Sequence, residues 1–430
     1  MHKPRVVILG AGFGGTYALI NLMRRLRPHE AHVTVINRTN YFLFTPLLHE
    51  VATGSLAHHN VVESLRSIMR PYAADLLVAE IQKVETARKV VITSEGEVSY
   101  DILVVATGSK TNFYGTPGAE EHSFVLKNLY DAIKLRNRII DCVEKSTTVE
   151  DSVERKRLLN FVIVGAGATG VELAAEIADW FFDTFKKFYK HKINCSDISI
   201  HLSTDGTHVL PQFHPSLRAR SAYILKKKGV QLHFAARAVQ IKEKRVIFAD
   251  GSDIETDTVI WAAGVTPENL PADVEFARDS RKRIIVNASL QVENHPEIFA
   301  LGDIASFTQA VVQTDAQFGQ PLPMLAQVAV SEAEIVAQNV ARSVRNLRRN
   351  LRDLRALPLA KFKYRRRGDL VSLGTWQAVA DIFGTRWSGP LAWFIWRTVY
   401  LMKFSSWSKK IRIAVDWTID IFYPRDITKA

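Results

Sequence analysis

Two stretches of this chain read almost alike. Val6-Val7-Ile8-Leu9-Gly10-Ala11-Gly12-Phe13-Gly14-Gly15 is answered by Phe161-Val162-Ile163-Val164-Gly165-Ala166-Gly167-Ala168-Thr169-Gly170. Each is an apolar run fit for a buried parallel strand, then glycines spaced G-x-G-x-x-G, then a helical pattern. Gly10 and Gly165 turn the chain sharply out of the strand. Gly12 and Gly167 let the backbone approach a pyrophosphate, and Gly15 and Gly170 let the helix pack close on the strand. The helix N-terminus adds unsatisfied N–H groups and the positive end of its dipole. One such turn is weak evidence. Two, each set between a strand and a helix, predict two dinucleotide-binding βαβ domains.

The likeness extends beyond the turns. His32-Val33-Thr34-Val35-Ile36-Asn37 and Ile198-Ser199-Ile200-His201-Leu202-Ser203 read as the second strand of each domain. An acid usually ends that strand and bonds the ribose hydroxyls. Here Asn37 ends the first, uncharged, which leaves Arg38 free to face phosphate. Thr204 and Asp205 follow the second. An acid at that position disfavours a 2′-phosphate, so NADH is modestly favoured over NADPH. Further on, Tyr100-Asp101-Ile102-Leu103-Val104-Val105-Ala106-Thr107-Gly108 is matched by Asp257-Thr258-Val259-Ile260-Trp261-Ala262-Ala263-Gly264. The same order of elements twice over is an internal repeat.

Other segments decorate this frame. Asn40 to Gly54 is aromatic-rich and holds Pro46; it reads as a wall for a flat ring system. Asn128 to Lys145 reads as a helical linker. Val171 to Trp180 reads as a long helix, which Trp180 to Lys190 extends, its aromatic and basic residues forming a solvated face over a packed stripe. Ala300-Leu301-Gly302-Asp303 delivers Asp303 at the carboxyl end of a strand, where it both caps the next helix and accepts from a ribityl hydroxyl. Gln327 and Ser331, four apart on a helix, face one way. Arg342 to Arg355 reads as a basic helix or linker, and Phe362 to Gly374 as a hairpin turning at Arg367-Gly368.

The 430 residues carry a net charge of +12, and most of the excess lies at the end. From Lys361 to Ala430 there are 13 Lys/Arg against 5 Asp/Glu, and six of the eight tryptophans fall between Trp376 and Trp417. Pro390 opens a helix there well. Arg397 interrupts its apolar run, so it is too short for the ~20 residues a span needs. A Trp- and Leu-rich helix flanked by Lys403, Lys409, Lys410 and Arg412 suits the headgroup boundary of an anionic lipid surface. Nucleic acid is the weaker reading of the same charge. The two cysteines, Cys142 and Cys195, lack C-x-x-C spacing, so no disulfide framework, Cys-ligated metal or redox dithiol is expected. The first strand begins directly after Met-His-Lys-Pro, so no leader is expected.

Taken together these residues resemble the type II NADH:quinone oxidoreductases over nearly the whole chain. The resemblance rests on the Gly10-to-Gly15 turn, the Asn40-to-Gly54 loop, the Gly165-to-Glu176 turn, Ala300 to Asp303, Ala326-Gln327-Val328-Ala329 and the Leu391-to-Leu401 tail. It implies an α/β fold with two Rossmann-like domains and a C-terminal helical membrane-association region. Residues 1–115 and 285–345 would form a discontinuous FAD domain, 116–284 an NADH domain, and 346–430 the membrane and dimerisation region. FAD would sit on Gly10, Gly12, Gly14, Gly15, Asn37, Arg38, Pro46, Ala106, Thr107, Gly108, Gly302, Asp303, Ala326 and Gln327. NADH would sit on Gly165, Gly167, Gly170, Thr204, Asp205 and Gly264, with the isoalloxazine between the domains. Glu172 would lie near the nicotinamide, and Glu172 and Gln327 would be the catalytic residues, by positioning rather than as an acid/base pair. Gln327, Ser331 and Arg367 would meet a membrane quinone. The chain would be a homodimer, peripheral on the cytoplasmic face, with no metal and no proton pumping.

Three departures stand out. Ser331 replaces a second Gln, Arg367 stands where Lys is common, and Asn37 and Thr204 replace the strand-end acids. Sulfide:quinone oxidoreductases and ferredoxin-type FAD reductases are the rivals of similar fold, but the first need cysteines near the flavin and the second no such tail. A catalytically silent flavoprotein scaffold is the rival of another class.

Overall fold

The computed structural model describes residues 3–309, 321–348, 357–404 and 406–429. Their contacts group into two compact units. One comprises residues 1–43, 63–110 and 265–365, the other 44–62, 111–264 and 366–430.

The first unit is built on a six-stranded sheet in the order Gln291–Val292, His295–Ala300, Ile102–Val105, Arg5–Leu9, His32–Asn37, Ala74–Val78. All neighbours are parallel except the first pair. Arg5–Leu9 lies in the middle, so its Val6, Val7, Ile8 and Leu9 are buried on both faces, as its unbroken apolar sequence requires. The Phe13–Met23 helix follows and packs along the Ala326–Arg348 helix.

The second unit repeats the plan in a five-stranded parallel sheet, Ser123–Phe124, Thr258–Trp261, Asn160–Val164, Ser199–Ser203, Val230–His233. The correspondence reaches single hydrogen bonds. Gly10 N–H donates to Ile36 O, and Gly165 N–H to Ser203 O, each at 2.8 Å. Ala106 N–H donates to Leu9 O, and Ala262 N–H to Val164 O, again each at 2.8 Å. Each unit also carries a three-stranded antiparallel sheet, Ile81–Glu85 with Val90–Thr93 and Gly96–Ser99, and Ala238–Lys242 with Arg245–Phe248 and Asp253–Glu255.

Grouping by contact differs from the sequence boundaries: residues 265–284 and 357–365 fall in the first unit and 111–115 in the second, and two further segments change place. Residues 44–62 join the second unit because Leu48–Ala52 packs on the Leu129–Ser146 and Ala168–Asp179 helices. Residues 366–430 join it too, through a sheet of Gly368–Ser372, Ala378–Ile382 and Thr385–Ser388 followed by the Pro390–Lys403 and Trp407–Phe422 helices.

Several local expectations are corrected. The hairpin turns at residues 373–377, not at Arg367-Gly368, because Gly368 already pairs with Ile382. The extension of the Ala168–Asp179 helix is a π-helical turn, Trp180–Phe185, whose Trp180, Phe181 and Phe185 are buried rather than solvated. Their rings pack at a tilt against one another or against Phe161, with centroids 4.8–5.1 Å apart. The linker helix is present as Leu129–Ser146, opened by a capping box between Asn128 and Asp131. Residues 349–355 of the basic stretch lie outside the described residues, and Arg342 to Arg348 continue the Ala326–Arg348 helix. Among the described residues no helix is long and apolar enough to cross a membrane.

Candidate functional site

Whether the glycine turns can seat phosphates is tested by what a side chain would meet there. A Cβ on Gly15 would lie 1.8 Å from Gly10 O, and one on Gly170 1.9 Å from Gly165 O. On Gly10 it would lie 2.5 Å from Ala106 O, and on Gly165 2.6 Å from Ala262 O. By contrast a Cβ on Gly12 or Gly167 meets nothing within 4 Å. In both units, then, the outer glycines are demanded by the protein's own packing while the middle one opens onto free space. That is the arrangement a pyrophosphate needs. Gly14 packs against Leu301, 3.2 Å from a Cβ, so its lack of a side chain serves the core.

Around the first turn, Asn37 Oδ1 accepts from Ala11 N–H at 2.9 Å and its amide donates to Thr39 O at 2.8 Å. Asn37 thus holds the turn itself. Arg38 is not left free for phosphate; its guanidinium pairs with Glu268. Ala106 and Thr107 follow the neighbouring Ile102–Val105 strand, and Thr107 Oγ1 is buried with no hydrogen-bond partner among the described residues. A buried hydroxyl of this kind costs about 1–3 kcal/mol unless something else bonds it, which fits a ligand on this turn. Gly108 O accepts from Glu268 N–H.

Asp303 does not cap a helix. It lies inside a short 3₁₀ turn, Gly302–Ile304, whose cap position is Leu301, and its carboxylate accepts from Ser109 Oγ–H. Gly302 N–H donates instead to Glu332 Oε2 at 2.6 Å, thirty residues along the chain. Ala326 opens the next helix with Gln327 in its first turn. Ser331 Oγ–H donates to Gln327 O at 2.9 Å, so its hydroxyl is spent on its own helix.

In the second unit Thr204 Oγ1 accepts from Gly206 N–H, and Asp205 is exposed beside it. Tyr114 lies over Gly264, where a Cβ would come 2.4 Å from its hydroxyl. Glu172 is buried on the Ala168–Asp179 helix and accepts from Ser372 N–H at 3.1 Å. Burial pushes its carboxyl well above the usual range, Glu50 and Glu176 push the same way, and the Ser372 N–H only partly offsets them. His49 Nδ1 lies 3.7 Å from Glu172 Oε2. Burial drives His49 down to about 3, with Arg425 adding to the effect. At neutral pH His49 is therefore a neutral imidazole, and burial favours the uncharged form of Glu172 beside it.

The aromatic segment is the clearest correction near the site. Phe44, Leu47 and Leu48 are fully buried, and Phe44 packs on Phe404 with centroids 4.5 Å apart. Phe42 packs on Phe13. These side chains are core, and only Thr45 and Pro46 of the 44–48 stretch reach the surface. Arg367 is exposed, and with burial it lowers the ammonium of Lys403.

The sequence reading passed over His49, Glu50, Glu332 and Arg425. Glu50 accepts from Trp417 Nε1–H at 2.7 Å. Burial first, then Glu176, raises it from 4.5 to about 8, against Arg397 and the Trp417 bond. The sign is fixed by linkage. The unfolded chain releases this proton near 4.5 while the native protein keeps it, so stability falls as pH rises from there through about 8. Glu50→Gln keeps an acceptor for Trp417 and is expected to flatten that fall, read from urea midpoints across the same pH range.

Residues 4–333 match the pyridine nucleotide-disulphide oxidoreductase family, and residues 367–426 the NDH2 C-terminal domain. A probable NADH dehydrogenase of Dictyostelium discoideum is 28% identical over 436 residues, covering 100% of this chain and 92% of that one. The type II NADH:quinone oxidoreductase Ndh of Mycobacterium tuberculosis is 28% identical over 437 residues, covering 99% of this chain and 89% of its own length. The structure of NDH2 from Plasmodium falciparum in complex with NADH superposes with a TM-score of 0.86 at 22% identity, covering 100% of both chains. FAD is typical of this family. With its two glycine cradles, a sheet in each unit and its tail domain, the chain belongs to the pyridine nucleotide-disulphide oxidoreductase family, in its type II NADH:quinone oxidoreductase branch.

Proposed function

We propose that this chain oxidises NADH with FAD and passes the two electrons to a membrane quinone, at a lipid surface it binds without crossing. The net reaction is NADH + H⁺ + quinone → NAD⁺ + quinol. The observation that carries the reading is the pair of cradles, each with a middle glycine facing free space. FAD, when bound, supplies the two-electron chemistry.

The chain's own residues position and protect. Gly12 leaves room for the flavin pyrophosphate while Gly14 lets the helix pack on Leu301, Thr107 Oγ1 has a bond to give, and Asp303 is held by Ser109 to accept from the ribityl chain. Gly167 leaves room for the NADH pyrophosphate, and Thr204 and Asp205 stand at the ribose end. Burial favours the protonated form of Glu172, in which it donates a hydrogen bond or a proton without placing a charge near the nicotinamide. Gln327, Ser331 and Arg367 are assigned to the quinone; with the Ser331 hydroxyl bonded to Gln327 O, Gln327 is the side chain expected to matter more.

The tail supports the lipid half. On the Trp407–Phe422 helix, Trp407, Ile411, Val415, Ile419 and Phe422 are exposed, at a spacing that makes one stripe, while Ile413 and Trp417 are buried on the other side. Leu391, Phe394 and Met402 are exposed on the Pro390–Lys403 helix. Lys410 and Arg412 lie by the stripe, the pattern of a helix lying in an anionic interface. Trp407→Glu with Ile411→Glu removes two large apolar anchors. It is expected to weaken sedimentation with anionic vesicles about 100-fold, at roughly 1.5 kcal/mol per anchor, while the soluble protein still reduces a water-soluble dye.

The test of the whole reading is NADH oxidation by purified protein with ubiquinone and menaquinone analogues, with and without vesicles. Quinone-dependent turnover that vesicles stimulate is the expected result. Reduction of dyes without reduction of either quinone would overturn the quinone assignment.

A further inference from the structure

The Gly302–Ile304 turn has an unusual cap. A helical turn leaves its first N–H groups unsatisfied, and a polar side chain at the cap position normally takes one of them. The cap residue here is Leu301, which has nothing to offer. The acceptor arrives from far along the chain: Glu332, 2% exposed on the Ala326–Arg348 helix, takes the Gly302 N–H at 2.6 Å. Gly302 itself adopts φ +74° and packs so closely on that helix that a Cβ would lie 3.3 Å from the Ala329 methyl. The turn is tied on its other side by Leu301 N–H to Val105 O, and the next residue, Asp303, is held by Ser109.

We propose that Glu332 is a positioning residue for the flavin: its carboxyl fixes the Gly302–Asp303 turn from a distant helix, and its proton controls how firmly Asp303 grips the ribityl chain. The inference rests on the assignment of FAD to this unit.

The groups that face the carboxyl are few. From the turn comes Asp303, whose negative charge favours the protonated form of Glu332; from the Arg283 segment comes a guanidinium that favours the ionised form. Arg283 is itself occupied by Asp279 and Leu322 O. The Phe13–Met23 helix packed alongside carries no charged side chain, and Tyr17 is its one titratable group. Burial outweighs the rest and raises Glu332 from 4.5 to about 8. Below that pH the carboxylic acid still accepts from Gly302 and leaves Asp303 as the sole anion at the turn. Above it, a second carboxylate repels Asp303 and disturbs the geometry the ribityl hydroxyls meet.

Two variants separate this from a plain packing role. Glu332→Gln keeps an acceptor and no charge; Glu332→Met keeps the volume and no acceptor. FAD dissociation constants are measured by released-flavin fluorescence from pH 6.5 to 9.5. Wild type is expected to lose affinity severalfold as pH passes about 8. E332Q is expected to hold FAD as wild type does at low pH, with no inflection. E332M is expected to bind about tenfold or more weakly at every pH, the cost of a buried N–H left unpaired. E332M binding like wild type would overturn the positioning claim, and an E332Q profile that bends like wild type would overturn the proton claim. If E332M does not fold, Glu332→Ala, which also removes the acceptor, takes its place in the positioning test, and wild type against E332Q still decides the proton claim. Wild-type protein that takes up no flavin at all would fail the FAD assignment instead, a result none of the variants can mimic.

Discussion

Gly165→Ala is expected to leave the protein yellow and nearly blind to NADH. Gly165 adopts φ +110°, and a methyl there would lie 2.6 Å from the Ala262 carbonyl and the Ala263 Cα. A side chain in that backbone region costs about 1–3 kcal/mol by itself, and the collision with backbone atoms has no flexible neighbour to absorb it. The turn must open, and the N-terminus of the helix that follows it moves with it. KM for NADH is expected to rise 100-fold or more, roughly 3 kcal/mol, while the flavin spectrum is unchanged. Gly10→Ala is the mirror experiment. At φ +87° and 2.5 Å from Ala106 O, its methyl is expected to give colourless protein that still binds NADH. If both variants lost flavin together, the assignment of one nucleotide to each cradle would be wrong.

The second large effect is on stability. Arg425 is buried, pairs with Glu176 and Asp420 at 2.8 Å each, and donates its backbone N–H to Thr184 Oγ1 in the π-helical turn. Burial opposes its charge, but Glu176, Asp420 and Asp179 together hold it protonated above its ordinary value. Asp179 is also paired with Lys228 and accepts from Thr375 N–H. The segment that carries Arg425 is pinned further by Arg136 to Asp426 at 3.2 Å and Lys429 to Asp141 at 2.8 Å. Arg425→Leu strands buried carboxylates without their cation and is expected to cost about 3–5 kcal/mol. Removal of Lys429, an exposed partner, is expected to cost well under 1 kcal/mol. The Arg425 deficit should shrink toward acid pH, because Asp420 is raised by burial above the usual aspartate range and takes up a proton once its cation is gone. Chemical denaturation at pH 5.5 and 8 reads both the size and the sign.

What could be read from the chain alone follows from the range of the interactions. The glycine turns were legible because strand, turn and helix are contiguous, and the φ values and close approaches are set within a few residues of Gly10 and Gly165. The doubled order of elements was legible for the same reason, down to the Ala106 and Ala262 strand ends. Glu332 was not, since its meaning depends on a Gly302 N–H thirty residues away that a leucine at the cap position leaves open. Arg425 was read only as one more basic residue of the tail; of its acids, Asp420 is close in sequence but Glu176 lies on a helix about 250 residues earlier. The Phe44 ring looked available to a ligand because sequence says nothing of Phe404, which covers it. The hairpin was misplaced because Arg367-Gly368 has turn chemistry, yet Gly368 meets a strand at φ +127° with Asp381 O too close for any Cβ. Arg38 looked free because Glu268 lies 230 residues away.

Everything proposed for this chain depends on NADH reducing a flavin that a quinone then reoxidises. Anaerobic stopped-flow mixing tests that directly. Wild-type protein is expected to lose its absorbance near about 450 nm on mixing with NADH, and to regain it when a lipophilic quinone in vesicles is added. Absorbance that NADH leaves untouched, or that NADH bleaches and no quinone restores, would contradict the account.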